Sequence, residues 1–150
     1  MLQFEHLCIL RVDVGEVVTI GHGPLGERRV VPILGGSFDG PAMRGSVLPG
    51  GNDWQIVRKD GVLDIDARYA LREEGGGVVQ VVSQGYRHAA PEVLASLGRG
   101  ESVDPAKYFF RTVLRFETGE PAFAWLNKTI AVASAERKAR QVVLTAYRLL

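Results

Sequence analysis

Alternation with a period of two is the feature that most constrains this chain. Between residues 62 and 71, Leu63, Ile65, Ala67, Tyr69 and Leu71 fall on one side, and Asp64, Asp66 and Arg68 on the other. An extended strand sends successive side chains to opposite faces, so this segment reads as a strand with one apolar and one charged face. The N-terminal stretch repeats the pattern: Phe4, His6, Cys8, Leu10, Val12 and Val14 oppose Gln3, Glu5, Arg11 and Asp13. Similar short runs cover residues 17–20, 28–34, 37–47, 54–58, 78–84, 109–117, 122–134 and 141–149. Between them lie turn clusters such as Gly21-His22-Gly23-Pro24 and Pro49-Gly50-Gly51-Asn52. Glycine supplies 18 of 150 residues, well above the usual ~7%. Pro32 confines its strand to an edge or a bulge, and Gly35-Gly36 reads as punctuation between two strands.

Helical signals are confined to one region. Residues 91–97 place Pro91 at a helix start, Val93, Leu94 and Leu97 on its apolar side, and Gly98 past its end. Asp104-Pro105 opens a second, single-turn helix. The pattern predicts an all-β protein. The strand count and turns fit an antiparallel barrel or a sandwich, and the barrel is preferred: one antiparallel β-barrel over residues 1–150, with one short helical excursion between late strands. Closure removes exposed sheet edges, and a barrel of about eight strands has room for a small ligand.

Formal net charge is +1, from 18 Lys+Arg and 17 Asp+Glu. That balance gives no general attraction to nucleic acid or to an anionic membrane. Cys8 is the single cysteine, so no intramolecular disulfide and no thiolate zinc site are expected, and it reads as a small buried hydrophobe. His6, His22 and His88 have no metal-ligand spacing, so neither a metal nor a cofactor is expected. No apolar run reaches the roughly 18–20 residues of a membrane-spanning helix. Glu5 and His6 stand where a signal peptide needs a basic head and an apolar block, which points to a cytoplasmic protein. Val78-Val79 and Val81-Val82 put apolar groups on both strand faces, and that excess predicts a homo-oligomer, most simply a two-fold dimer.

The candidate site residues are charged or aromatic groups near turns and on polar strand faces. Asp53, just after a tight turn and beside Trp54, is the first candidate for a proton carrier, since burial against an indole would raise its pKa while a nearby arginine would lower it. Glu117 is the second. Arg68, Arg111 and Arg115 can clamp a carboxylate or enolate oxygen. Tyr69, Trp54, Trp125 and Asn127 can shape a pocket. The period does not say which face is enclosed. On the polar-lumen reading, Arg68, Arg111 and Glu117 converge on one interior space, and the Leu63–Leu71 apolar set packs outward. On the alternative, the charged face is solvated, with weak rim ion pairs.

Longer blocks carry a resemblance. Gly35-Gly36-Ser37-Phe38-Asp39-Gly40-Pro41 is followed by Arg44-Gly45-Ser46-Val47-Leu48-Pro49-Gly50-Gly51-Asn52-Asp53-Trp54-Gln55. Later come Asp66-Ala67-Arg68-Tyr69, Tyr108-Phe109-Phe110-Arg111-Thr112, Arg115-Phe116-Glu117-Thr118-Gly119 and Trp125-Leu126-Asn127. In order and content these resemble the domain of unknown function 3237 family, also called UPF0311 proteins. The pattern departs at Gln84-Gly85-Tyr86-Arg87, where the family reads Asn-x-Gly-x-Arg, and no pocket role is assigned to Gln84. The resemblance implies a compact barrel broadly similar to allene oxide cyclase and dirigent barrels, whose cavities serve cyclisation or guided coupling. It implies no established reaction.

Three functions fit this reading. One is a cofactor-independent isomerase, cyclase or hydratase acting on a small organic molecule in the barrel. Another is a small-molecule binding protein with the same cavity and no turnover. The third is a structural or partner-binding protein with no ligand.

Overall fold

The computed structural model describes all 150 residues, Met1 to Leu150. Ten strands, all paired antiparallel, make up the sheet: β1 (Phe4–Val14), β2 (Val18–Gly23), β3 (Gly26–Asp39), β4 (Arg44–Val47), β5 (Asn52–Val57), β6 (Leu63–Glu73), β7 (Val78–His88), β8 (Phe109–Thr118), β9 (Ile130–Arg137) and β10 (Gln141–Leu149). The order β1-β10-β9-β8-β7-β6-β4-β3 returns on itself because β1 also pairs with β3. β5 shares with β4 the place between β3 and β6. Eight positions therefore run round a closed barrel, and β2 extends the β3 hairpin at its rim.

Closure depends on how β3 bends. Its first half pairs with β5 through Pro32↔Asn52, and its second half pairs with β4 and β1. The change of direction falls at Gly35 and Gly36, with φ of 147° and 133°. A Cβ on Gly36 would lie 2.0 Å from the Arg11 carbonyl oxygen, so only glycine lets the two backbones meet at this seam. The Gly35-Gly36 pair thus bends one 14-residue strand instead of separating two.

Two further segments depart from simple alternation. A bulge between His6 and Cys8 shifts the register of β1 against β10, so Leu7 and Cys8 are both buried while Phe4 and His6 stay outside. There both rings meet Tyr147 edge-on at 5.7 Å. Residues 121–128 form 3₁₀ turns (Pro121–Lys128), not the start of a strand. Pro121 favours a helical start. The Asn127 side chain then accepts from the Thr118 N–H at 2.8 Å and donates to the Thr118 carbonyl at 3.0 Å, clamping the segment across the end of β8. The clamp drives Leu126 fully into the core.

The core is one continuous apolar cluster inside the barrel. It takes the apolar parity of each strand, including Leu63, Ile65, Tyr69 and Leu71 of β6 and Phe110, Leu114 and Phe116 of β8. The helix α1 (Pro91–Gly98) lies on the connection from β7 to β8 and buries Leu97. The single turn at Pro105–Lys107 follows it, capped by Asp104, whose Oδ1 accepts the Ala106 N–H at 2.9 Å. No helix is long and apolar enough to cross a membrane.

Candidate functional site

The inner face of the barrel is the apolar parity of its strands, and a few polar groups interrupt that parity. Arg29 shares it with Val31 and Ile33, Arg87 with Val79 and Val81, and Arg137 with Ala131, Ala133 and Ala135. Asp53 and Gln55 do the same on β5, and Ser83 and Thr112 on β7 and β8. The charged members cluster toward the end of the barrel where β7 finishes and β8 begins. There they surround a cavity of about 130 Å³ that Leu97 and Gly98 of α1 help to enclose.

Asp53 faces this cavity in a fixed pose. The β5–β6 ladder pairs Asp53 with Ala67 and resumes at Ile56 and Asp64. Between those rungs the Asp66 N–H donates at 3.1 Å to Asp53 Oδ1. Gln55 Nε2 donates to Asp53 Oδ2 at 2.7 Å, and Arg29 Nε donates to Gln55 Oε1 at 2.7 Å. Burial pushes the Asp53 pKa above the ordinary carboxylate value, outweighing the Gln55 and Asp66 bonds and the field of Arg87 that act in the other direction. Trp54 is not the cause, because neighbours in a strand point to opposite faces and its ring lies outside.

Four buried side-chain polar atoms have no hydrogen-bond partner in the protein: the Tyr69 hydroxyl, Ser83 Oγ, Thr112 Oγ1 and Arg87 Nε. All four belong to residues that line this one cavity. A buried polar group left without a protein partner costs about 1–3 kcal/mol, and these four are gathered at one place instead of being spread through the core. Burial, together with the nearby Cys8 and Asp53, raises the Tyr69 phenol far above its ordinary value, which keeps it a hydrogen-bond donor. Burial also lowers the Arg87 guanidinium to about 10, helped by the fields of Arg137 and Arg29.

Of the residues singled out by sequence, Asp53 and Tyr69 lie in this cavity. Arg68, Arg111, Arg115 and Glu117 do not converge there. They are exposed on the outer face, since their parity alternates with the buried Ala67, Thr112, Leu114 and Phe116. Arg68 pairs with Asp66 at 3.5 Å. Arg111 donates to the Phe110 carbonyl at 3.0 Å and lies over the Phe109 ring, 5.5 Å from its centroid. Trp54 and Arg111 share a broad open trough on the outside with Tyr86 and Phe109. Trp125 and Asn127 belong to the 3₁₀ segment, where Arg148 lies 5.1 Å from the centre of the Trp125 ring. The Leu63–Leu71 apolar set points inward, the reverse of the polar-lumen expectation, because it is the larger apolar surface and gains more from burial.

Arg29, Gln55, Ser83, Arg87, Thr112 and Arg137 were not selected by sequence. Their signal is a polar residue on the apolar parity near a strand end. Cys8 is fully buried, and burial raises its thiol to about 12, so it is no nucleophile at neutral pH. No three His, Cys, Asp or Glu side chains come together in a group that could hold a metal ion.

The fold is a closed antiparallel barrel whose interior cavity is walled mostly by hydrocarbon and carries three arginines and Asp53. The chain belongs to the family described as "Protein of unknown function (DUF3237)", matching it over residues 2–149. It is similar to a UPF0311 protein of Bradyrhizobium diazoefficiens, at 41% identity over 99% of this chain and 97% of that protein. A protein of unknown function from Rhodopseudomonas palustris is similar in structure, with a TM-score of 0.97 and 39% identity, covering 100% of this chain and 99% of that one. A β-barrel-like protein from Acinetobacter baumannii gives a TM-score of 0.87 at 40% identity, covering 100% and 97%. An enzyme from Penicillium herquei shares the fold at a TM-score of 0.75 and 18% identity, covering 99% and 95%.

Proposed function

We propose that this barrel is an enzyme that moves a proton within a small organic molecule held in the interior cavity, as an isomerase, cyclase or hydratase does. The observation that carries the reading is the gathering of every buried unpartnered side-chain polar atom around the one cavity that also contains the Asp53 carboxylate. Asp53 is the proton carrier. Its raised pKa brings it toward the range where a carboxylate both accepts and returns a proton. The Tyr69, Ser83 and Thr112 hydroxyls are donors for a carbonyl or enolate oxygen. Asp53 takes a proton from one atom of the substrate while these donors hold the charge that develops on oxygen. In an isomerase or cyclase the same proton returns to a different atom of the substrate. In a dehydration it leaves with the expelled hydroxyl as water, and in the reverse hydration Asp53 takes it from water and gives it to carbon, so no electron is gained or lost.

The test begins with a thermal-shift screen of small carbonyl and carboxylate compounds. Ligand at 100 times its Kd adds about 2.7 kcal/mol of apparent stability. On a substrate found this way, Asp53→Asn lowers turnover by roughly 10²–10⁴ and changes affinity much less. A ligand that binds and is released unchanged assigns the barrel to the non-catalytic binding proteins. Full turnover by Asp53→Asn removes Asp53 from the reaction.

A further inference from the structure

Arg29, Arg87 and Arg137 come from β3, β7 and β9, and these strands are not neighbours. Around the eight positions of the barrel, β8 separates β9 from β7, β6 and β5 separate β7 from β3, and β1 and β10 separate β3 from β9. The three guanidiniums therefore approach the barrel axis from three sides, and all three line the same cavity. They are close enough for their charges to act on one another.

Such a cluster is unfavourable on its own. None of the three belongs to an ion pair within 4.0 Å. Arg29 spends its Nε on the neutral Gln55, and Arg87 Nε has no partner. The carboxylates whose fields reach Arg29 are Asp53 and Glu27. Of these two carboxylates only Asp53 lines the cavity, so three guanidiniums face a single carboxylate there. Holding like charges together at partly buried positions without ion-pair partners is unfavourable. An anionic group inside the cavity offsets this excess of positive charge.

Resting on the reading that the cavity holds a small organic molecule, we infer that Arg29, Arg87 and Arg137 form a carboxylate-binding site, and that the barrel's ligand is a small organic carboxylate with an apolar body. The hydrocarbon that makes up most of the cavity wall favours an organic carboxylate over a free phosphate ion. A guanidinium presents a planar fork of donors that fits a carboxylate. The other walls decide the rest of the ligand, for Val31, Ile33, Ile65 and Leu144 offer hydrocarbon contact. The volume of about 130 Å³ is close to that of a protein cavity of roughly 150 Å³ that accepts benzene. A carboxylate held by the arginines aims the body of the molecule inward, toward Asp53 and the free hydroxyls. The arginines then position the substrate and Asp53 moves the proton.

Benzoate and benzamide test this, because they share a ring and a shape and differ in charge. Titration calorimetry on the native chain is expected to give benzoate a Kd at least about tenfold below that of benzamide. Arg87→Met removes the preference, and so does Arg137→Gln, which stands in if Arg87→Met does not fold. Asp53→Asn keeps it. Equal affinity for the two compounds, binding of neither at millimolar concentration, or an unchanged preference in both arginine variants overturns the carboxylate site. So does inorganic phosphate binding more tightly than benzoate. The two readings fail separately. A substrate without an anionic group, whose turnover is lost in Asp53→Asn, leaves the proton-transfer function and removes the carboxylate site. Selective benzoate binding combined with full turnover by Asp53→Asn does the reverse.

Discussion

The two ends of the barrel interior are built from the same strands and filled in opposite ways. Where β8 finishes, Phe38, Leu71, Val79 and Leu126 are all at most 2% exposed, and the 3₁₀ segment at Pro121–Lys128 lies across the end. Where β8 begins, the same inward parity carries Arg29, Asp53, Gln55, Arg87 and Arg137 around a cavity under α1. The first end is packed without unpaired polar groups. The second concentrates them. Stability and chemistry are thus divided along one axis, since the tight end supplies the burial that lets the other carry unsatisfied charge.

Truncation at the packed end should show the largest effect. Phe38→Ala removes a fully enclosed ring and is expected to cost about 3–5 kcal/mol in urea unfolding, the usual loss for a buried phenylalanine. A loss below about 1 kcal/mol would mean that this end relaxes as easily as the other, and the contrast would disappear.

The equivalent change at the cavity end should go the other way. Arg87→Met replaces a buried cation that has no ion-pair partner with an apolar chain of similar length. Removing such a charge is neutral or stabilising where breaking a true pair is costly. The midpoint of unfolding is expected to stay level or rise in the absence of ligand. A fall comparable to that of Phe38→Ala would show that Arg87 holds the fold together.

This division explains what was legible in the sequence. The strands were visible because alternation at a period of two follows from strand geometry alone, and the Pro91–Gly98 helix was visible from its own start and stop residues. Asp53 was found because a carboxylate after a glycine turn stands out locally. Tyr69 was also picked out, but the cavity arginines were not, since Arg29, Arg87 and Arg137 interrupt apolar parities on strands that meet only when the barrel closes. The polar parity drew attention to Arg68, Arg111 and Glu117, and water covers that parity. Knowing that the larger apolar face turns inward would have reversed the choice. The bulge at His6–Cys8 and the bend at Gly35–Gly36 depend on backbone pairing between distant strands, which alternation does not encode.

The smallest effect is the pH dependence of stability, and it separates two carboxylates by sign. Asp53 has a folded pKa above its unfolded value because burial dominates. Its proton is therefore held more tightly in the folded state. Its contribution to stability is fully present below the unfolded pKa and is lost as pH rises through the folded one. Asp60 is the reverse case. It lies in an exposed turn where Arg58 donates to it at 2.5 Å, and this lowers its pKa. Its contribution is present above the unfolded pKa and is lost as pH falls through the folded one, and solvent keeps it small. Asp53→Asn should therefore gain stability relative to the native chain as pH rises out of the carboxylate range toward neutrality. Asp60→Asn should lose a little over the same interval. Urea midpoints for the three proteins, measured from acid to neutral pH, give the comparison. If the Asp53→Asn curve ran parallel to that of the native chain, the carboxylate would titrate as though in water, and the cavity end would be no drier than the surface.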